Sequence, residues 1–452
     1  MELLHPIVAE WDADVLGSDP LRFPGYVPPD EESVLTGRTA HYALIQGRFD
    51  VMGGSMGAAH GERVVRAYRR ATALGLPVVV VSASGGARMQ EGMVSLIQMA
   101  RTAAAASDHA AAGLLSVALH RAPTTGGVFA SYASLCDLRA ATAGATVGFA
   151  GPRVAELMTE RALPASSHTA ESAYRAGLVD AVVASDQAAA WVEACLGLRA
   201  CPLPLVDAAV SDGPRVGGAW GKVLAARAAG RWSGMAWAAS LTSSWVDLHG
   251  TDGAIRAGLC TLRIGDGQRA IVIAMERGTP TPAGFRLAQR ALALAAKLGL
   301  PVVTLLDTPG ADPGPESEAG GIAGEIARTL AAMATLPTVS VAVCVGEGGS
   351  GGALALGFAD RLLMLDDAVF SVIRPEGAAA ILDRRATADA ASKRAEQLRL
   401  TASDMVELGI ADAVVPEGDP AAVAASIGAA LGAAAPGDRR QRFDQATMQH
   451  LR

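Results

Sequence analysis

Long apolar runs are missing from this chain of 452 residues; stretches such as Pro77 to Val81 have the length of a strand, not of a membrane span. Cysteine is scarce and scattered. Cys136, Cys195, Cys201, Cys260 and Cys344 form no C-x-x-C and no paired cluster, which excludes a zinc ribbon or a disulfide scaffold and suits a reducing cytoplasm. Positive charge is not in excess. With 38 Lys and Arg against 45 Asp and Glu the formal charge is −7, which argues against a nucleic-acid or membrane-surface partner. The 8 histidines are dispersed, so no metal site is expected. The N-terminal MELLHPIVAEWDADVLG places acids early and has no basic segment ahead of an apolar one, so no signal peptide is expected and the location is cytoplasmic. Aromatics make up only 4%, so the core has to come from small aliphatic side chains and close backbone packing.

Glycine is what the chain has in quantity, 51 residues, and it is concentrated where strands end. From Gly346 to Asp360 the sequence GEGGSGGALALGFAD follows the apolar run Val339 to Val345 and leads into a small-residue helix. A strand emptying into glycines and then a helix gathers backbone N–H groups at a helix N-terminus, a place for an anion or for a carbonyl oxygen acquiring charge. The stretch has a second copy. Thr124 to Arg153 repeats its layout: a Gly-Gly pair, a short helix, an Asp, an apolar strand, and an aromatic-bearing segment ending near a proline. Upstream, SASGGARM from Ser82 corresponds to DTPGADPG from Asp307, each after a Leu-Pro-Val strand. The same spacing relates Gly85 to Gly310 and Gly126 to Gly351, and AGLVDAVV recurs as LGIADAVV.

The chain is therefore a duplicated α/β domain, with strands and helices alternating in each copy. Residues 1–40, rich in Pro, Asp and Glu, read as an extended lead-in. The first domain spans 41–200, a linker 201–219, the second domain 220–432, and a polar, frayed tail 433–452.

Three motifs compete with the main-chain reading. Gly346, Gly348 and Gly351 satisfy a dinucleotide-binding fingerprint with Asp366 downstream, but the helix is short for a crossover and the first copy keeps only Gly-Gly. G-x-S-x-G occurs at Gly53–Ser55–Gly57 and Gly348–Ser350–Gly352. The only histidine after Ser350 is the tail His450, and His60 near Ser55 is expected to face solvent. Arg88 either holds a phosphate or carboxylate or pairs with Glu91. Asp307 and Glu347 either support the site or cap helices, and Met89, Met93 and Met99 read as core.

MGGSMGAAHGERVVRA, SASGGARMQEGMVSLIQMA, TTGGVFASYASLCDL and VGFAGPR resemble the β subunit of bacterial acetyl-CoA carboxylase carboxyltransferase. MERGTPTPAGFRLAQRALALAAKLGLPVVTLLDTPGADPG, VGEGGSGGALALGFAD and FSVIRPEGAAAIL resemble its α subunit. The resemblance runs from about Asp19 to Pro416 and implies β and α fused in one chain, as two tandem crotonase-like domains of repeated ββα units. It implies carboxyl transfer from biotin, carried on a separate biotin carboxyl carrier protein and charged by biotin carboxylase, to the coenzyme A thioester acetyl-CoA, giving malonyl-CoA. The N-terminal domain would take the acyl-CoA and the C-terminal domain carboxybiotin, with the chain a homodimer or higher oligomer. The donors implied are Gly126 with Gly127, and Gly352 with Ala353; Gly85, Gly86, Arg88, Gly310 and Gly351 are the substrate-binding set. No side-chain nucleophile is required. Departures from the family are the missing four-cysteine zinc ribbon, a missing basic insertion between Arg277 and Thr279, and Arg374 where SVISPEG is here SVIRPEG. Decarboxylation of a malonyl-type thioester and a non-catalytic carboxylase subunit are the alternatives.

Overall fold

In the computed structural model, residues 4–205, 217–384 and 387–451 are described, and the centre of the expected 201–219 linker lies outside them. The chain divides into two compact units, Met1–Arg199 and Ala200–Arg452. Each is built on one eight-stranded mixed sheet. In the first unit the strands are β1 (Ala9–Trp11), β2 (Val34–Arg38), β3 (Ala43–Gly47), β4 (Val78–Ser84), β5 (Ser116–Thr125), β6 (Leu138–Thr142), β7 (Val147–Gly148) and β8 (Ala181–Val183). In the second they are β9 (Thr242–Leu248), β10 (Ile255–Leu262), β11 (Gln268–Met275), β12 (Val302–Thr308), β13 (Ser340–Gly349), β14 (Arg361–Leu365), β15 (Val369–Ser371) and β16 (Ala413–Val415).

The two sheets have one topology. The order β1-β2-β3-β4-β5-β6-β8, with β7 on β5, is repeated as β9-β10-β11-β12-β13-β14-β16, with β15 on β13. The first three strands of each run antiparallel and the rest parallel. The central parallel strands β4 (VVVVSAS) and β12 (VVTLLDT) are buried at every residue, as strands covered on both faces must be. Helix Ala58–Leu74 precedes β4 and helix Pro282–Leu298 precedes β12; each stops at a left-handed glycine, Gly75 or Gly299.

The duplication read from the sequence is thus matched strand for strand. Two boundary expectations are corrected. The lead-in 1–40 is part of the first sheet, because β1 and β2 lie within it and Val34 is fully buried. The strand escaped notice because Gly37 interrupts VLTGR; there β1 passes so close that a Cβ would sit 2.7 Å from the Ala9 carbonyl oxygen.

The polar tail is not frayed either. It forms helix Asp438–Met448, and Arg439 in its first turn is fully buried. Its Nε and a terminal nitrogen each donate to Asp360 at 2.8 Å, and it also reaches the carbonyls of Leu336 and Thr338. Asp360 in turn accepts the N–H of Ser340, the first residue of β13. Burial works to raise the Asp360 pKa; the Arg439 pair and the N–H groups of Ser340 and Arg439 outweigh it and leave the carboxyl below its ordinary value.

Arg439→Ala leaves that carboxylate buried without its partner, and should cost about 3–5 kcal/mol in chemical denaturation. A depressed pKa stabilises above the unfolded carboxylate value of about 3.9 and is lost as pH falls through the folded one. The gap between wild type and variant should therefore narrow below about pH 4. A variant within about 0.5 kcal/mol of wild type at pH 7 would refute the assignment.

Candidate active site

In the first unit the end of β5 and the loop after β4 touch through their backbones. Gly126 sits at φ +63°, and a Cβ there would lie 2.6 Å from the Gly86 Cα, a clash with main chain that no side-chain movement relieves. Gly86 itself is at φ +123°. Its N–H is held by the Ser84 Oγ at 3.1 Å, and its carbonyl by the Met56 N–H at 2.8 Å. Arg88 N–H returns the bridge to the Met56 carbonyl at 3.0 Å, which leaves the intervening Ala87 N–H outside it. Across the contact, helix Gly126–Val128 opens with no side-chain cap, so the N–H of its second residue, Gly127, has no acceptor within the helix. A Cβ on Gly127 would be 3.6 Å from the Ala87 nitrogen. Ala87 and Gly127 thus form a pair of main-chain donors. Gly126, an expected donor, is not one, since its N–H is spent on the Phe149 carbonyl at 2.9 Å.

The second unit repeats the arrangement. Gly310 is at φ +136° with its N–H on the Thr308 Oγ1 at 3.1 Å, and the residue after it is Ala311. Helix Ser350–Gly357 likewise has no side-chain cap. A Cβ on Gly352 would be 2.5 Å from the Ala311 nitrogen. The N–H of Ala353, the fourth helical residue, is the first that the α-helix pairs internally, so Gly351 and Gly352 are the open donors and the expected Ala353 is not. These groups line a cleft of about 540 Å³ with Val372, Ile373 and Arg374.

The strand register shifts both correspondences by one, so that Gly126 matches Ser350 (φ +56°), the first residue of its helix, and not Gly351. Ser84 pairs with Thr124 as Thr308 pairs with Gly348, and the positive-φ glycines that match are Gly86 and Gly310, not Gly85 and Gly310. Gly85 is exposed, its N–H bonded to the Gly53 carbonyl. Sequence reasoning missed Ala87 and Ala311, although a repeated signal was present: each follows a glycine in the loop after the buried central strand.

Different ion pairs hold the two loops. Arg88, expected to bind substrate, is fully buried, paired with Glu32 and with Glu91 (3.0 Å), and bonded to the Ser55 carbonyl at 2.9 Å. Glu91 also accepts the Ala58 N–H at 2.6 Å, tying the loop to the start of a long helix. In the second unit Arg231 pairs with Asp307, two residues before Pro309. Arg227 takes Glu347 in a two-point contact (2.9 and 2.7 Å) and also pairs with Glu376. Burial outweighs Arg231 and Arg277 at Asp307 and lifts its pKa above the ordinary value.

The serine-nucleophile reading finds no base. His60, expected at the surface, is buried between Ser33 (2.8 Å) and the Tyr132 hydroxyl (3.0 Å), and burial drives its pKa down to about 3. Ser350 is exposed at φ +56°, and no histidine lines its cleft. Asp366 is occupied by the Glu417 N–H at 3.0 Å, away from any ribose role. Of the methionines expected in the core, Met99 packs against it while Met89 and Met93 are exposed. Among the described residues, no group of three or more His, Cys, Asp or Glu could hold a metal ion.

Main-chain N–H groups gathered on duplicated sheets, with no base to activate a nucleophile, suit a carboxyltransferase. Residues 36–199 match the carboxyl transferase domain family, and residues 218–431 the acetyl co-enzyme A carboxylase carboxyltransferase-like family. The chain belongs to the acetyl-CoA carboxylase carboxyltransferase family. It is 43% identical over 432 residues to the acetyl-coenzyme A carboxylase carboxyl transferase subunits beta/alpha of Salinispora arenicola, covering 86% of this chain and 73% of that one. The protein of the same name from Saccharopolyspora erythraea is 39% identical over 445 residues, covering 88% and 76%. Transcarboxylase 12S, solved as a hexamer with methylmalonyl-coenzyme A bound, shares the fold with a TM-score of 0.78 at 22% identity, over 95% of this chain and 88% of that one.

Two variants test the donors. Gly127→Pro removes the N–H where the first turn of a helix accepts proline, and Gly352→Ala forces a methyl group against the Ala311 N–H. Each should lower the turnover of carboxyl transfer about 10²–10³-fold with the fold intact by circular dichroism. A folded Gly127→Pro protein with wild-type turnover would remove that donor from the site.

Proposed function

We propose that this chain transfers a carboxyl group from carboxybiotin, borne on a biotin carboxyl carrier protein, to acetyl-CoA, forming malonyl-CoA. The observation that carries this reading is the doubled donor pair: a reaction between two carbonyl compounds, each gaining charge on oxygen, needs two such sites and no nucleophile. Ala87 and Gly127 hold the thioester oxygen of acetyl-CoA as its methyl group gives up a proton and the enolate forms. Ala311, Gly351 and Gly352 hold the carbonyl oxygen of the ureido substrate, which gains charge as its N-carboxyl group departs. Carboxybiotin supplies the carboxyl group; the chain supplies oriented N–H groups that need no reorganisation as charge appears. Biotin carboxylase completes the carrier's cycle, and the protein acts in the cytoplasm.

Each unit exposes apolar side chains in the segment that follows its donor helix: Phe149, Leu157 and Met158 in the first, Val372, Ile381 and Leu382 in the second. Such surface is costly to leave in water. Covering it in a homodimer would join the first unit of one protomer to the second unit of its partner, giving two shared sites.

Incubation of pure protein with malonyl-CoA should release acetyl-CoA only when free biotin is present, with carboxybiotin formed in equal amount. Biotin-independent loss of malonyl-CoA would establish the decarboxylase instead, and loss in neither case the non-catalytic subunit. For the shared site, Gly127→Pro and Gly352→Ala chains mixed under subunit exchange should regain activity toward half of wild type in the mixed dimer, where one site carries both changes and the other neither. No recovery despite proven exchange, or a fully active monomer, would overturn the shared arrangement.

A further inference from the structure

The donor cleft of the second unit adjoins a cavity of about 310 Å³ lined by Arg227, Arg231, Arg277, Asp307 and Glu347, and Arg374 lines both spaces. Most of this charge is matched. Arg227 is paired with Glu347 and Glu376, and Arg231 with Asp307. Arg277 lies 3.6 Å from Asp307 and gives its terminal nitrogens to the carbonyls of Ala228, Ala229 and Arg231. Arg374 is the remainder. It is exposed and forms no ion pair within 4.0 Å among the described residues. Its field reaches Glu376 and helps lower that group's pKa, although burial works to raise it and the Glu376 oxygens are engaged by Arg227. Pro375 follows it and opens helix Pro375–Leu382, fixing Arg374 as the residue that precedes the first helical turn.

A cleft bounded by uncapped helix N–H groups and one unmatched guanidinium favours an anion over a neutral ligand of the same shape. Of the two forms of the ureido substrate, only the carboxylated one is an anion. We infer that Arg374 recognises the carboxylate of that substrate and so makes this cleft selective for the charged carrier over the spent one. The assignment rests on the function proposed above. It makes Arg374 a specificity residue: it binds the group to be transferred, while the backbone donors take the charge that appears when that group leaves.

The test compares wild type, Arg374→Ser, Arg374→Lys and Arg374→Glu with N1-carboxybiotin and acetyl-CoA in the forward direction, and with free biotin and malonyl-CoA in reverse. Loss of a hydrogen bond to a charged group should raise KM for N1-carboxybiotin about tenfold in Arg374→Ser and further in Arg374→Glu, with Arg374→Lys between it and wild type. KM for neutral biotin and for malonyl-CoA should move much less. Raising ionic strength should weaken N1-carboxybiotin in wild type more than in Arg374→Ser. If wild type transfers carboxyl groups but all three variants keep its KM for N1-carboxybiotin, or if KM for malonyl-CoA alone rises, the assignment of Arg374 is wrong and the function stands. If wild type transfers none, the functional reading itself falls.

Discussion

Everything in each unit depends on two stretches of backbone being allowed to touch. The loop after the central buried strand and the helix start after its neighbour approach until no Cβ fits between Gly126 and Gly86. The second unit meets the same limit between Gly352 and Ala311. The fully buried strands behind these contacts fix the approach, and the approach brings two N–H groups to one place. A side-chain donor could be re-aimed by a rotamer change; a donor built into the sheet's own loops cannot, which suits stabilisation of charge that exists only briefly.

Duplication has conserved this contact while letting its supports diverge. The first unit braces its loop from the side, through Arg88 to Glu32 and Glu91 and on to the start of helix Ala58–Leu74. The second braces the strand ends, with Arg227 and Arg231 reaching Glu347 on β13 and Asp307 on β12. Buried ion pairs of this kind contribute little net stability, but removing one partner is expensive. They therefore act as locks on a geometry that packing has already selected.

The features legible in the sequence were those that backbone geometry imposes directly. Glycines at strand ends and the repeated Leu-Pro-Val strands pointed to the doubling and to the glycine-lined contacts at the ends of β5 and β13. What escaped were consequences of tertiary pairing. The alignments of Gly85 with Gly310 and of Gly126 with Gly351 both slipped by one because glycine runs offer several equal registers, and only the ladder from Ser84 to Thr124 and from Thr308 to Gly348 decides between them. For Arg88 the pair with Glu91, one of the two readings, does form; what local pattern did not reveal is Glu32, 56 residues away, which completes its burial. His60 was placed at the surface and Arg439 in a frayed tail for the same reason: burial of a polar residue depends on a partner that local pattern does not reveal.

The two donor units occur in one polypeptide, and this has a consequence beyond geometry. Two clefts made as separate chains would be present in whatever ratio their separate synthesis happened to give. Translation of one message fixes the ratio at unity without any control over synthesis or degradation. Variation in expression then changes how much enzyme a cell holds, never the balance between its halves.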